Sequence, residues 1–505
     1  MRYVVFLFQI LMFSHMLSGQ TFTDIRAGLT GVAESSSQWI DADRDGDPDI
    51  FVSGEHYHGG KPAIEGKYYN NLRNDRFIST SSGLPHFYRG DIRFADFDLD
   101  GIADAAVVGE TKDGVLIAEL FRGTGNGNFI KTQIPLIPVR DGSIDFADMD
   151  GDGDPDILIA GESAHGPITM IFRNDRNNRF TAVQAGLIGI RRGVARWTDF
   201  NVDGLPDIFV CGIDAQGKTV SQLYQNTGQG FQAIKSGILP LKNCNVAFGD
   251  FDNDGDDDLI ILGETAAGVP TTILYRNNRD GSFTQIPADL AQLTDGFADW
   301  GDMDLDGDLD LLLSGMSANG AVSKVYRNDR QQGFTDIRAN LIPLYNSSGQ
   351  WGDYDLDGDL DILIAGLSNR HDFIARVYKN GFIGATPKPK KESASKDMWI
   401  VAGPNPTRNK PIYYYVYSSA YTLLDQEKEK RYYTFVSPVK RFPAAYVLEE
   451  KFNELIIQAY PNWSTIDQGN IIQNGFATQA EADKSRSRII HEYKNKGFII
   501  KEIHW

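Results

Sequence analysis

The sequence predicts an all-β, seven-bladed β-propeller followed by a small C-terminal α+β domain. Three observations carry this. A nine-residue pattern, DxDxDGxxD with one Asn variant, recurs seven times, starting at Asp41, Asp96, Asp148, Asp199, Asp250, Asp302 and Asp353. The starts are 55, 52, 51, 51, 52 and 51 residues apart, and a fixed period near 50 residues is the size of a four-stranded blade. The chain ends also fit a ring. FTDIRAGL (22–29) matches FTDIRANL (334–341), the outermost strand of a unit, whereas the seventh unit stops at VYKNGF (377–382) without one. The N-terminal strand is therefore expected to complete the last blade, which removes an open sheet edge.

The elements follow in order. Residues 1–19 carry one Arg, an apolar run from Tyr3 to Phe13 and then Ser18-Gly19. This is the pattern of a secretory signal peptide, too short in its apolar run for a membrane span. Residues 20–383 hold the seven units. In each, an apolar strand ending in Gly follows the acidic loop: IFVSG, AAVVG, ILIAG, IFVCG, LIILG, LLLSG, ILIAG. Two residues before each loop stands an aromatic (Trp39, Phe94, Phe146, Trp197, Phe248, Trp300, Trp351). Six before stands a small residue (Ser35, Gly90, Gly142, Gly193, Cys244, Gly296, Ser347). Even spacing puts both on one face of a strand. The small residue is expected to let neighbouring sheets approach, and the aromatic to fill the space between them. Segments such as LYRNNRDGSF (274–283) supply a further strand, turn and strand. Only Cys211 and Cys244 occur. They replace small residues of the repeat and read as small core residues, with a disulfide as the alternative.

GATPKPKKESASKD (384–397) reads as a linker. Residues 398–505 change character, with aromatic strands at 413–418 and 432–439 and a helix expected over 446–460. A capping box, Thr478-Gln479-Ala480-Glu481, opens a second helix that runs to about Asn495. Gly497 ends it, and FIIKEI (498–503) is a strand. The last 30 residues resemble the second half of a SPOR peptidoglycan-binding domain; the first half does not match.

The alternating aspartates point to a cation. Gly at position six permits a sharp turn, so side chains one, three, five and nine converge. Hard oxygen donors at that density suit Ca²⁺. The expected ligands are Asp41, Asp43, Asp45 and Asp49; Asp96, Asp98, Asp100 and Asp104; Asp148, Asp150, Asp152 and Asp156; Asp199, Asn201, Asp203 and Asp207; Asp250, Asp252, Asp254 and Asp258; Asp302, Asp304, Asp306 and Asp310; and Asp353, Asp355, Asp357 and Asp361. Up to seven structural ions follow. Asn201 removes one carboxylate, so the fourth site is expected to be weaker. Position seven (Asp47, Ile102, Asp154, Leu205, Asp256, Asp308, Asp359) is expected to offer only its backbone carbonyl, its side chain being free to vary. The net charge is −19. It argues against a nucleic-acid partner and for cations or cationic partners.

These repeats resemble FG-GAP or VCBS-type repeats, the propeller repeats of integrin α-chain heads and of many bacterial surface proteins. The resemblance spans about residues 20–384. It implies calcium loops between the first and second strands of each blade, on one face, and ligands on the other. A loop in all seven units and the lack of an inserted domain depart from integrins. On the ligand face the first unit is longest and contains His56, Tyr57 and His58; the next inter-blade loop contains His86, Phe87, Tyr88 and Arg89. His56, Tyr57, His58, His86, Tyr88 and Arg89 are the candidate ligand-binding residues, since aromatics beside polar groups suit sugars or peptides. His165 and His371 fall in loops of the same face. Four of its loops begin Gly-Glu, at Glu55, Glu110, Glu162 and Glu264. Arg89-Gly90-Asp91 spells an adhesion tripeptide, but Gly90 is also the small residue of the repeat.

No nucleophile elbow, HExxH or P-loop is present. The function expected is an exported, calcium-binding adhesion or ligand-binding module for a glycan or protein, secreted, periplasmic or at the cell surface. The alternatives are an enzyme acting on extracellular polysaccharide, a lyase or hydrolase, and a structural scaffold. The oligomeric state stays open.

Overall fold

The computed structural model describes residues 21–58, 61–381, 412–422, 431–436, 440–442, 470–476 and 499–502, with six helical positions between 484 and 494. The leader, the linker and the helix expected over 446–460 lie outside the described residues. Among those described, no helix is long and apolar enough to cross a membrane.

Residues 22–380 form seven four-stranded antiparallel sheets. The first blade is Ala33–Ile40, Asp49–His58, Lys61–Asn71 and Phe77–Thr80, and the next five repeat that order. The seventh takes Leu344–Gly352, Asp361–Ser368 and Phe373–Asn380, and its fourth strand is Phe22–Asp24 from the other end of the repeat region. Phe22 pairs with Asn380 and Asp24 with Tyr378. The ring closes as the sequence predicts. The fourth strands are only three or four residues long, and their outward side chains are exposed. Short, polar edges of this kind resist edge-to-edge pairing.

The apolar run after each loop becomes the second strand, buried on both faces; every residue of Asp104–Glu110 is buried. Such a run suits a sheet covered by a neighbour on each side. Each buried Ile, Leu or Val there contributes about 1.5–3 kcal/mol. The aromatics pack between blades as expected: Trp39 stacks on Tyr354 at 6.1 Å, and Trp300 on Phe251 at 6.3 Å.

The small residue serves a different purpose from the one expected. The first strand of every blade carries a register shift just after its start, as between Arg140 and Ser143. A Cβ added at Gly90, Gly142, Gly193 or Gly296 would overlap a carbonyl oxygen of the second strand in the same blade. The bulge, and not the approach of a neighbouring sheet, demands the small side chain. Cys211 and Cys244 are buried free thiols.

In the C-terminal region, Ile412–Thr422 pairs with Arg431–Val436, Lys440–Phe442 and Asn470–Phe476, and Ile499–Glu502 adds in parallel to Arg431–Val436.

Candidate functional site

Each acidic loop joins the first strand of a blade to the second, so all seven lie at one end of the ring. Position one ties the loop to itself: Asp148 accepts from the amides of Gly151, Asp152 and Gly153 at 2.8–3.1 Å. Position five accepts from the amide of position seven, as Asp100 from Ile102 at 2.9 Å. The glycine at position six has positive φ, 82–98° across the seven loops. Position four is left-handed too, even where it is Val202 (φ 60°), a costly conformation for a β-branched residue.

Position nine is the most enclosed. Asp49, Asp104, Asp207, Asp258, Asp310 and Asp361 are fully buried. Asp258 accepts from the amide of Phe251 at 3.2 Å and from that of Asn277, at the end of the third strand, at 2.8 Å. Burial outweighs these bonds and pushes the carboxyl up to about 8 in Asp49, Asp104 and Asp258, and to about 9 in Asp361.

In five loops the structure brings three of the four sequence-predicted carboxylates together, and position nine is among them only in the second loop. Carboxylate oxygens of Asp41, Asp43 and Asp45 lie within 4.8 Å of one another, as do those of Asp148, Asp150 and Asp152, of Asp250, Asp252 and Asp254, and of Asp302, Asp304 and Asp306. In the second loop the set is Asp96, Asp98 and Asp104. Buried oxygens of Asp41, Asp98 and Asp304 have no hydrogen-bond partner. An orphaned carboxylate oxygen among like charges is costly unless a cation neutralises it. The donor set, all carboxylate and carbonyl oxygen, fits Ca²⁺.

Position seven departs from expectation. Asp47, Asp154, Asp256 and Asp308 are buried, and each takes the guanidinium of an arginine in the turn after the third strand: Arg73, Arg176, Arg279 and Arg330. The Arg279 Nε lies 2.6 Å from Asp256. Where position seven is Ile102 or Leu205, the turn carries Gly125 or Gly228 instead. Asp154 is thus a structural partner and no bystander. In six blades the side chain varies with its partner; blade seven keeps Asp359 and has Phe382 at the arginine's place in the sequence.

A second set escaped sequence reasoning. Six third strands end in Asn: Asn71, Asn174, Asn226, Asn277, Asn328 and Asn380. Each donates from Nδ2 to the position-two carbonyl in another blade's loop, as Asn277 to Phe200 and Asn328 to Phe251, both at 2.7 Å. Each also donates to the position-eight carbonyl of its own loop, as Asn277 to Asp257 at 3.1 Å. The loops are thereby bonded to one another around the ring. Blade two has Gly123 there, and the Gly127 amide reaches the Ala42 carbonyl in its place at 3.0 Å. The recurrence of Asn two residues after an aromatic was the available signal.

At the opposite end, the long first-blade segment is not a loop. His56, Tyr57 and His58 extend the second strand into a hairpin with Lys61–Asn71. His56 Nδ1 bonds the Gly31 carbonyl at 2.9 Å. Its ring lies edge-on to Phe373, against which half-exposed Tyr57 also packs at 5.4 Å. His86 Nδ1 is 3.3 Å from the Ile64 carbonyl, and His371 Nδ1 is 2.8 Å from the Tyr345 hydroxyl. The histidines hold neighbouring groups and do not converge with one another.

Tyr88 and Arg89 open the first strand of blade two, and Arg89 belongs to a charged cluster. It bonds Asp141 (Nε to Oδ1, 2.6 Å) and lies 3.5 Å from Glu110. Glu110 also takes Arg140 at 2.8 Å, and Glu162 takes Arg191 at 3.3 Å. Asp91 is buried against Ser36 and Arg196, so the acid of the Arg89-Gly90-Asp91 tripeptide is committed inside the protein. In every blade the residue before the small one is left-handed: Glu34, Arg89, Asp141, Arg192, Asn243, Asp295 and Asn346, φ 44–52°. Seven polar side chains thus stand at the start of the first strands. A cavity of about 330 Å³ lies among those of blades two to four.

An FG-GAP-like repeat family matches residues 96–159, 148–210, 199–261 and 302–364, each match opening on the first Asp of a loop. No curated protein matches the chain. Among solved structures, a fucose-recognising lectin of Aleuria aurantia is 11% identical (TM-score 0.37; 61% of this chain, 96% of that one). The Vibrio cholerae biofilm matrix protein Bap1 is 14% identical (0.32; 80% and 57%). A thermostable family-43 glycoside hydrolase is 11% identical (0.29; 73% and 98%). Similarity at this level carries no functional argument. The matched segments and the seven in-register acidic loops, each leading into a blade of one closed ring, place the propeller of this chain in the FG-GAP repeat β-propeller family.

Proposed function

We propose that the protein is an exported, calcium-stabilised propeller that binds a glycan or protein at the cell surface or in the envelope, through the end of the ring opposite its acidic loops. The observation that carries this reading is the contrast between the two ends. One end repeats the same carboxylates in every blade, with Asn201 as the one exchange. The other repeats a backbone bulge but carries a different set of charged and polar side chains around a cavity. Unlike side chains on a rigid scaffold are what selective binding requires.

In this reading positions one, three, five and nine of each loop hold Ca²⁺ with the position-seven carbonyl. The ion supplies positive charge that relieves the crowded carboxylates. Binding then stabilises the folded ring, because the unfolded chain offers no such site. The apolar leader and the abundance of calcium outside cells support export. The C-terminal region, basic where the propeller is acidic, acts as a separate α+β module.

The test is a glycan and protein binding screen, with and without calcium, of the full chain and of a chain ending near Gly384. Calcium-dependent binding retained by the shorter chain is expected. Binding that needs only residues 398–505 would reassign the function to that module. Turnover of a polysaccharide would replace binding by catalysis.

A further inference from the structure

We infer that the cavity between the first strands of blades two, three and four takes the carboxylate of an acidic sugar. The inference rests on the glycan-binding reading above and names its ligand class. Four arginines line the cavity, Arg89, Arg140, Arg191 and Arg192, with only two carboxylates, Asp141 and Glu162. Glu110 and Glu34 reach Arg89 from outside that lining, at 3.5 and 4.0 Å, so the local charges balance and what sets the cavity apart is guanidinium donors left without partners.

The ion pairs leave donors over. Arg89 is consumed by Asp141 and Glu110. Arg140 spends Nη1 on Glu110, and its buried Nε has no partner. Arg191 meets Glu162 through one nitrogen. Arg192 is exposed; among the described residues it makes no hydrogen bond or contact ion pair, and its charge is felt by Asp295 of blade six.

The repeat shows that this vacancy is built in. In blade two the left-handed arginine, Arg89, is neutralised by Glu110, the last residue of the second strand. Arg192 is its counterpart in blade four. There the second strand ends in Ile213, which lines the cavity, where four other blades carry Glu55, Glu110, Glu162 and Glu264. The acid that would pair with Arg192 has been exchanged for an apolar side chain.

The remaining chemistry selects the ligand. Arginine forks favour a planar carboxylate. Asp141 and Glu162 repel a doubly charged phosphate more than a singly charged carboxylate. They also accept hydrogen bonds from hydroxyl groups, and Ile213 offers a surface for the C–H face of a ring. A volume of about 330 Å³ is at the lower end for small-ligand pockets, roughly 300–1,000 Å³. A hydroxylated, singly charged ring, a uronate, meets all of these terms.

The experiment is calorimetric titration of the calcium-loaded full chain with glucuronate and galacturonate trimers, their carboxyl-reduced forms and an aspartate tripeptide. Two variants accompany it. Arg192→Asn installs the residue that blades five and seven already carry there, Asn243 and Asn346, so the fold is expected to survive. Ile213→Glu leaves Arg192 in place and restores its acid. A uronate trimer is expected to bind, and each variant and carboxyl reduction to weaken it at least tenfold. Equal binding of the reduced form, or binding unchanged in both variants, would overturn the inference while leaving a glycan-binding propeller. Binding of the aspartate peptide in place of either uronate would overturn it in favour of an acidic peptide. No glycan or protein ligand in the broader screen would remove both readings together.

Discussion

At the acidic-loop end of the propeller the same side chains recur in every blade; at the opposite end the same backbone recurs and the side chains do not. Asp96 and Asp302 accept the same loop amides in blades two and six. Glu34, Arg89 and Asn243 share one left-handed conformation and differ in side-chain chemistry. A repeat whose loops are latched to one another tolerates little variation in the groups that do the latching. A bulge needs only a left-handed residue followed by a small one, so its side chain is free to be selected for a ligand. The two ends should therefore respond differently to the same perturbations.

The largest difference should come from removing metal. Chelation is expected to lower the melting temperature by about 10 °C or more, with recovery on adding calcium, since each occupied site contributes through mass action. Ligand contacts at the other end would be lost only as the ring opens. A melting curve indifferent to chelator would remove calcium from the account of stability.

The pH response of the chelated protein should then reveal the acidic loops directly. Burial raises the carboxyls of Asp49, Asp258 and Asp361 to about 8 or 9. The metal-free fold thus binds protons more tightly than the unfolded chain. Its contribution from these groups is complete below the ordinary aspartate value near 4, and is lost as pH rises through about 8 to 9. Metal-free protein should melt higher at pH 5 than at pH 8. With calcium bound, protons compete with the ion and the order should reverse. Melting curves at the two pH values, with and without calcium, read this out.

Breaking one latch should cost less. Asn277→Ala removes two donors, leaving the carbonyls of Phe200 and Asp257 without them. A loss of about 2–3 kcal/mol is expected from buried acceptors left unpaired. Blade two already lives without the Asn, so Gly123→Asn offers a contrast. A Cβ there would overlap the Ala103 carbonyl, and the change should destabilise. Urea unfolding of both variants in calcium checks the pair. An Asn277→Ala variant as stable as the wild type would mean that the inter-blade bonds are incidental.

Much of this was legible in the sequence, for reasons that can be stated. The 51–55-residue period and the FTDIRA duplication reveal blades and closure because each depends on residues close together in the chain. The position-one, -three and -five oxygens were legible for the same reason. The role of position seven was not. The partner of Asp154 is Arg176, 22 residues on, and only a comparison of two columns shows Asp with Arg in four blades and Ile or Leu with Gly in two, against Asp359 with Phe382 in the seventh. The sequence hides the purpose of Gly90, because its neighbour is the Val108 carbonyl across its own sheet, which register alone reveals. His56 reads as part of a loop in the sequence and stands in a strand in the fold, because a long hairpin and an irregular insertion have the same length.

The smallest effect, and the sharpest check on the position-seven pairing, belongs to Asp256 and Arg279. Arg279 is about half exposed and screened by water, so Arg279→Gly should cost only about 1 kcal/mol, despite the burial of its partner. Asp256→Leu alone should cost a similar amount, because the arginine it leaves behind is half exposed and solvated by water. The double variant recreates the Leu205 and Gly228 arrangement of blade four. If Asp and Arg are held as a pair, the double variant should be more stable than the sum of the single losses allows. That coupling is read from a double-mutant cycle of urea unfolding at saturating calcium. Additive losses would mean that the two columns vary independently, and that the pairing in four blades adds nothing to the fold beyond its separate parts.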